Sequence, residues 1–73
     1  MSERPIEIKK LADIAADRDL PSDLRTKAIE QLGNIGTHEA LLALLELAAN
    51  QELATEERDV ALQEAREIIK SGH

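Results

Sequence analysis

Thr37 to Asn50 reads THEALLALLELAAN and places Leu41, Leu42, Leu44, Leu45 and Leu47 within seven positions. At helical spacing its apolar arc runs from Leu47 through Leu44, Ala48 and Leu41 to Leu45 and Leu42, roughly 220° of the wheel. A helix with so wide an apolar arc needs neighbours on more than one side. This segment is therefore expected to be the central helix, with Ala43, Glu39, Glu46 and Asn50 left to face water.

The segments on either side supply the neighbours. Pro5 suits a first helical turn, and a first helix is expected from about Pro5 to Asp17 with Ile8, Leu11, Ile14 and Ala15 inward. Pro21 disfavours helix before it, and Ser22 or Asp23 is placed to cap a second helix carrying Leu24, Ala28, Leu32 and Ile35. Gly36 is expected to end that helix in the left-handed conformation. Gly33, inside it, marks either a frayed last turn or a close helix contact. Thr37 caps the third helix, and Thr55 is expected to cap a fourth that carries Ala61, Leu62, Ala65, Ile68 and Ile69 and ends at Ser71-Gly72.

Composition narrows the function classes. The chain has 73 residues, enough for one small domain, and a net charge of −6. It contains no cysteine and no aromatic residue. Thiol chemistry, base stacking and aromatic cages are thereby removed, and the core must be built from Leu, Ile and Ala in an all-α fold. The acidic balance opposes nucleic acid and anionic lipid surfaces. Residues 39–73 carry eight acids and three bases, so a basic partner would prefer the second half. No apolar run reaches the ~20 residues of a membrane span, and MSERPIEIKK lacks the apolar stretch of a secretory signal, so a cytoplasmic location is expected.

No catalytic constellation is evident. His38 and His73 have no metal-ligand companions at suitable spacing. Glu56, Glu57 and Asp59 fit the first turn of a helix better than a calcium site, because the helix dipole favours acids there. Ser2, Ser22 and Ser71 have no base beside them, and there is no glycine-rich phosphate loop. The chain is expected to be non-enzymatic and to need no cofactor.

A shift of 33 residues lays Leu11 to Ile35 on Leu44 to Ile68 without a gap, and seven of the twenty-five positions are identical. The turn aligns as well, Ser22 on Thr55, Asp23 on Glu56 and Asp19 on Glu52. The chain thus reads as a duplicated helical hairpin, with repeat one at about 5–36 and repeat two at about 37–70.

Leu24 to Ala48, LRTKAIEQLGNIGTHEALLALLELA, resembles the short HEAT-like repeats of bacterial and archaeal α-solenoids, a type also found in phycobilin lyase subunits. The resemblance lies in Leu-Arg at 24–25, Ala28, Leu-Gly at 32–33, Ile-Gly at 35–36 and the leucine-rich helix that follows. It implies a fragment of an α-solenoid made of two HEAT-like hairpins and says little about function. It also implies a charge ladder between repeats, in which Asp19 with Arg25 and Glu52 with Arg58 occupy the matching places. Lys9 and Ala12 stand where the third helix has Leu42 and Leu45, so helix 1 reads as an end of the stack. Leu24 becomes Glu57 in the second unit, which is expected to put charge on the outer side of helix 4.

In solenoids the second helices line the concave face used by partners. Here that ridge would present Thr26, Lys27, Glu30 and Asn34 with Asp59, Gln63 and Glu67. The leading expectation is a monomeric, non-catalytic scaffold that binds a basic protein surface through this ridge. An accessory subunit of a HEAT-repeat enzyme such as a phycobilin lyase, or a structural unit that self-associates, are the alternatives.

Overall fold

The computed structural model describes residues 4–71, which form four α-helices: α1 (Arg4–Ala16), α2 (Ser22–Ile35), α3 (His38–Ala48) and α4 (Thr55–Lys70). The described residues contain no strand. The protein is all-α.

Helix α1 packs on α2 and α3, and α4 packs on α3 and α2, while α1 and α4 do not meet. Helices α2 and α3 also touch each other. The shortest dimension, 17 Å, is that of two helix layers, one holding α1 and α3 and the other α2 and α4. The centre is therefore shared. The largest fully buried side chains are Ile29 and Leu32 of α2 and Leu44 of α3.

The two intra-hairpin turns are built alike. In the first, the Asp17 carboxylate accepts from the Asp19 N–H at 3.0 Å and the Asp17 carbonyl from the Leu20 N–H at 3.1 Å. In the second, the Asn50 side-chain oxygen accepts from the Glu52 N–H at 2.9 Å and the Asn50 carbonyl from the Leu53 N–H at 3.1 Å. Each bond is offset from its counterpart by the 33 residues of the sequence repeat. The helices that follow open on Pro21 and Ala54, whose carbonyls accept from Arg25 and Arg58 respectively.

Two of the expected caps form. Gly36 ends α2 at φ 69°, a conformation that a Cβ makes unfavourable. Thr37 Oγ1 accepts from the Ala40 N–H at 3.2 Å at the start of α3. Neither Ser22, Asp23 nor Thr55 caps a helix, because the cap positions fall one residue or more earlier, on Pro21 and Ala54. The Ser22 hydroxyl instead donates to Glu57 at 2.8 Å, and Thr55 Oγ1 accepts from Arg58 Nη2 at 3.3 Å.

The core corrects several sequence expectations. Ile8, Ala15, Ala28, Leu32, Leu41, Leu44, Leu47, Ala61, Ala65 and Ile68 are buried, and Ile29, Ala40 and Leu53 join them. Ile14, Leu24, Leu42, Leu45, Leu62 and Ile69 are exposed although each belongs to an apolar stripe. Being apolar fits each of them for burial but brings no neighbour over it; Leu42 lines an open groove with Ile8, Lys9, Ala12 and Asp13 of α1 that stays unfilled. Ala43, by contrast, is partly buried against the core.

The largest correction is Glu57. It is 2% exposed rather than on an outer face. Its carboxylate accepts from Arg25 Nη1 at 2.9 Å and from the Ser22 hydroxyl, which ties the first turn of α4 to the first turn of α2. Charge ladders between the halves do exist, but the partners differ from those expected. Arg25 pairs with Glu57, and Arg18 with Glu52 at 3.7 Å; Asp19 with Arg25 and Glu52 with Arg58 do not pair among the described residues. The Arg18–Glu52 pair is exposed and worth ~0–1 kcal/mol. The Arg25–Glu57 pair is buried, and removing one partner would leave an uncompensated charge.

Candidate functional site

Helices α2 and α4 lie side by side and carry the seven residues expected from the sequence to form a ridge. Lys27, Glu30, Asn34, Asp59, Gln63 and Glu67 are exposed there and Thr26 is half-buried. Asn34 and Glu67 line a shallow cleft of about 240 Å³ between the C-terminal turns of the two helices, together with Gly33, Gly36 and Ser71. Asp59, Gln63 and Glu67 border a second open depression, of about 350 Å³, with Leu62, Arg66 and Lys70.

One residue absent from the sequence expectation joins these parts. Glu64, half-buried on α4, lies over Gly33 of α2: a Cβ built at Gly33 would stand 2.7 Å from the Glu64 Cδ and 3.1 Å from its Cβ. Gly33 is thus the close helix contact, not a frayed turn, and its missing side chain is the space that the Glu64 side chain occupies. Burial pushes the Glu64 carboxyl above its ordinary value of 4.5, and the nearby carboxylates of Glu30 and Glu67 push it further. Three acids from two helices therefore share one patch. Glu67 is also 3.9 Å from Lys70, an exposed pair that screens it only weakly.

The place of Glu64 follows from Glu57 only once Glu57 is seen to be buried. Glu64 sits seven residues after Glu57 and so on the same side of α4, the side that faces α2. It aligns with Gln31 under the 33-residue shift, which gave no reason to single it out.

The chemical inventory of the remaining surface is short. Among the described residues no three His, Cys, Asp or Glu side chains are gathered where they could hold a metal ion. His38 is exposed at the start of α3, and His73 lies outside the described residues. Within the acidic group at the start of α4, Glu57 is committed to Arg25 and Ser22. No described helix is long and apolar enough to cross a membrane.

Comparison with known proteins gives no match to a family model, a curated protein or a solved structure.

Proposed function

We propose that the chain is a two-repeat HEAT-like α-solenoid module, repeat one at about 5–36 and repeat two at about 37–70, that acts as a non-catalytic scaffold and binds a basic protein surface through the α2–α4 ridge. The solenoid reading is supported by α1 packing beside α3 and α2 beside α4, and by turn hydrogen bonds that recur at the period of the sequence repeat. The observation that carries the binding reading is the gathering of Glu30, Glu64 and Glu67 on adjoining helices, with Glu64 partly desolvated above Gly33. Like charges held together by a fold raise the free energy of the unbound surface, and a lysine- or arginine-rich partner relieves that repulsion.

Immobilised protein used to capture partners tests this reading. Glu30→Lys with Glu67→Lys should release the captured partner. Thermal melting should stay at or slightly above that of the original protein, since exposed substitutions usually change stability by no more than ~0.5 kcal/mol and both reversals remove like charge from beside Glu64. Raised salt should weaken capture in the same direction. A double variant that melts normally and keeps every partner would show the ridge to be a solvated face only.

A further inference from the structure

The outer side of the α3–α4 pair is a packing surface without a partner in the monomer. Leu45 on α3 and Leu62 and Ile69 on α4 are 40%, 45% and 57% exposed. The 33-residue repeat shows what such positions do when a neighbour is present. Ile29, the counterpart of Leu62, is fully buried, and Ala12, the counterpart of Leu45, is half-buried. The same comparison argues against extending the stack head to tail with a further copy. In that arrangement Leu24 would meet Arg58, where Glu57 meets Arg25, and Arg66 would fill the place that Gly33 leaves open for Glu64. A buried guanidinium would then face a leucine, which is costly.

The charge pattern of α4 fits a different relation between copies. Asp59, Leu62, Arg66 and Ile69 are spaced three, four and three residues apart, so they form one stripe along the helix. Asp59 and Arg66 are seven residues apart, roughly 10 Å along the axis, too far to pair within the helix. Among the described residues neither forms an ion pair. Reversing α4 about the point between residues 62 and 63, midway between the two charges, exchanges positions 59 and 66. The Asp59 and Arg66 charges are therefore complementary to themselves in antiparallel register. We propose that two copies of this chain pack face to face through the outer side of α3 and α4, with α4 antiparallel to α4, Leu62 beside the two-fold axis, and Asp59 of each copy against Arg66 of the other. This is an isologous interface, which closes at two copies. It shares Asp59 with the ridge, and Glu67 borders the same depression, whereas Glu30, on α2, is not part of it.

An apolar patch of this size buries on the order of 500 Å² per copy, at the low end for a specific complex, so half-dimerisation is expected at roughly 10–100 µM. Sedimentation equilibrium of the full chain should show a mass that rises with concentration and levels at twice the monomer. Leu62→Glu should give a monomer with undiminished helical circular dichroism, because Leu62 lies outside the core. Arg66→Asp should weaken the dimer tenfold or more by setting acid against acid. The exchange Asp59→Arg with Arg66→Asp should restore affinity to within about threefold of the original, since it reverses both charges and keeps their complementarity. The proposal is overturned if the protein is monomeric up to about 1 mM, well above the weak range expected for so small a contact. A mass that grows past the dimer without levelling, a Leu62→Glu variant that still dimerises, or an exchange variant as weak as Arg66→Asp alone would overturn it equally.

Discussion

The two halves of the molecule carry the same residues at several matched positions and put them to different use. Arg25 on α2 finds the Glu57 carboxylate of α4 at 2.9 Å, whereas its counterpart Arg58 reaches only the Thr55 hydroxyl at 3.3 Å. Ile29 is sealed between the halves and Leu62 is half in water. Gly33 admits Glu64, while Arg66 takes the same position on the open flank. The contrast also runs the other way: Leu24 is 47% exposed and Glu57, its counterpart, is buried. Repeat position thus sets the direction in which a side chain points, and the presence of a neighbour decides whether that direction is buried. Burial of a side chain such as Ile29 is worth about 1.5–3 kcal/mol, a benefit that Leu62 obtains only in part.

The largest expected effect comes from breaking the buried pair. Glu57→Ala should cost about 3–5 kcal/mol because it leaves the Arg25 guanidinium, itself mostly shielded from water, without a counter-charge. A single core of this size holds only ~3–5 kcal/mol in total, so the variant should be largely unfolded at room temperature by circular dichroism. Leu24→Ala, at the matched position, should stay within ~0.5 kcal/mol of the original. Replacing both Arg25 and Glu57 by methionine should recover most of the loss, since an apolar pair of similar size carries no desolvation penalty. Equal melting of the Glu57→Ala and Leu24→Ala variants would erase the distinction between the covered and open flanks.

A second pair measures the same distinction with apolar residues alone. Ile29→Ala should cost about 2–5 kcal/mol by opening a cavity, and Leu44→Ala on α3 belongs in the same range because both side chains are fully buried. Leu62→Ala should cost less than about 1 kcal/mol, measured by urea unfolding at a concentration low enough to keep the protein monomeric. Comparable costs at positions 29 and 62 would mean that the outer flank of α4 is covered in solution.

Much of this fold is legible in the residues. Pro21, Gly36 and Thr37 mark where helices stop and start, and Ala28 with Leu32, Leu44 with Leu47, and Ala61 with Ala65 and Ile68 carry the buried stripe at helical spacing. Flank burial was not legible, because hydrophobicity records which residues can be buried and not which neighbour arrives. Leu24 and Leu42 are as apolar as Leu44, yet both stay about half exposed. Glu57 has every local reason to face water in a first helical turn; its burial depends on Arg25 and Ser22, more than thirty residues away. The ridge rests on the period alone: six of its seven residues are exposed on α2 and α4, and Thr26 is half-buried. Glu64 escaped because its significance comes from the glycine opposite, a contact between helices that no local pattern encodes.

The smallest expected effect, and the one that tests the ridge most directly, is the pH dependence of Glu64. Its carboxyl titrates above the ordinary value of 4.5 in the folded protein because burial and the charges of Glu30 and Glu67 disfavour ionisation. At neutral pH the group is ionised in both folded and unfolded chains, and folding bears the full penalty of holding that charge. As pH falls through the folded value the native state takes up the proton first, so the penalty declines, and it is absent once the pH is below the unfolded value. Glu64→Gln, which keeps the shape and removes the charge, should therefore be more stable than the original at pH 7, and the difference should close as the pH approaches 4. The matched position supplies the control: Gln31→Glu places a carboxylate on α2, exposed beside Glu7 and Lys10 with no glycine opposite, and should lower stability at pH 7 less than Glu64 does. Melting temperatures of the three proteins between pH 7.5 and 4 would decide the matter. A Glu64→Gln advantage that does not change with pH would mean that the carboxylate is not crowded, and the patch of Glu30, Glu64 and Glu67 would lose the repulsion on which its attraction for a basic partner rests.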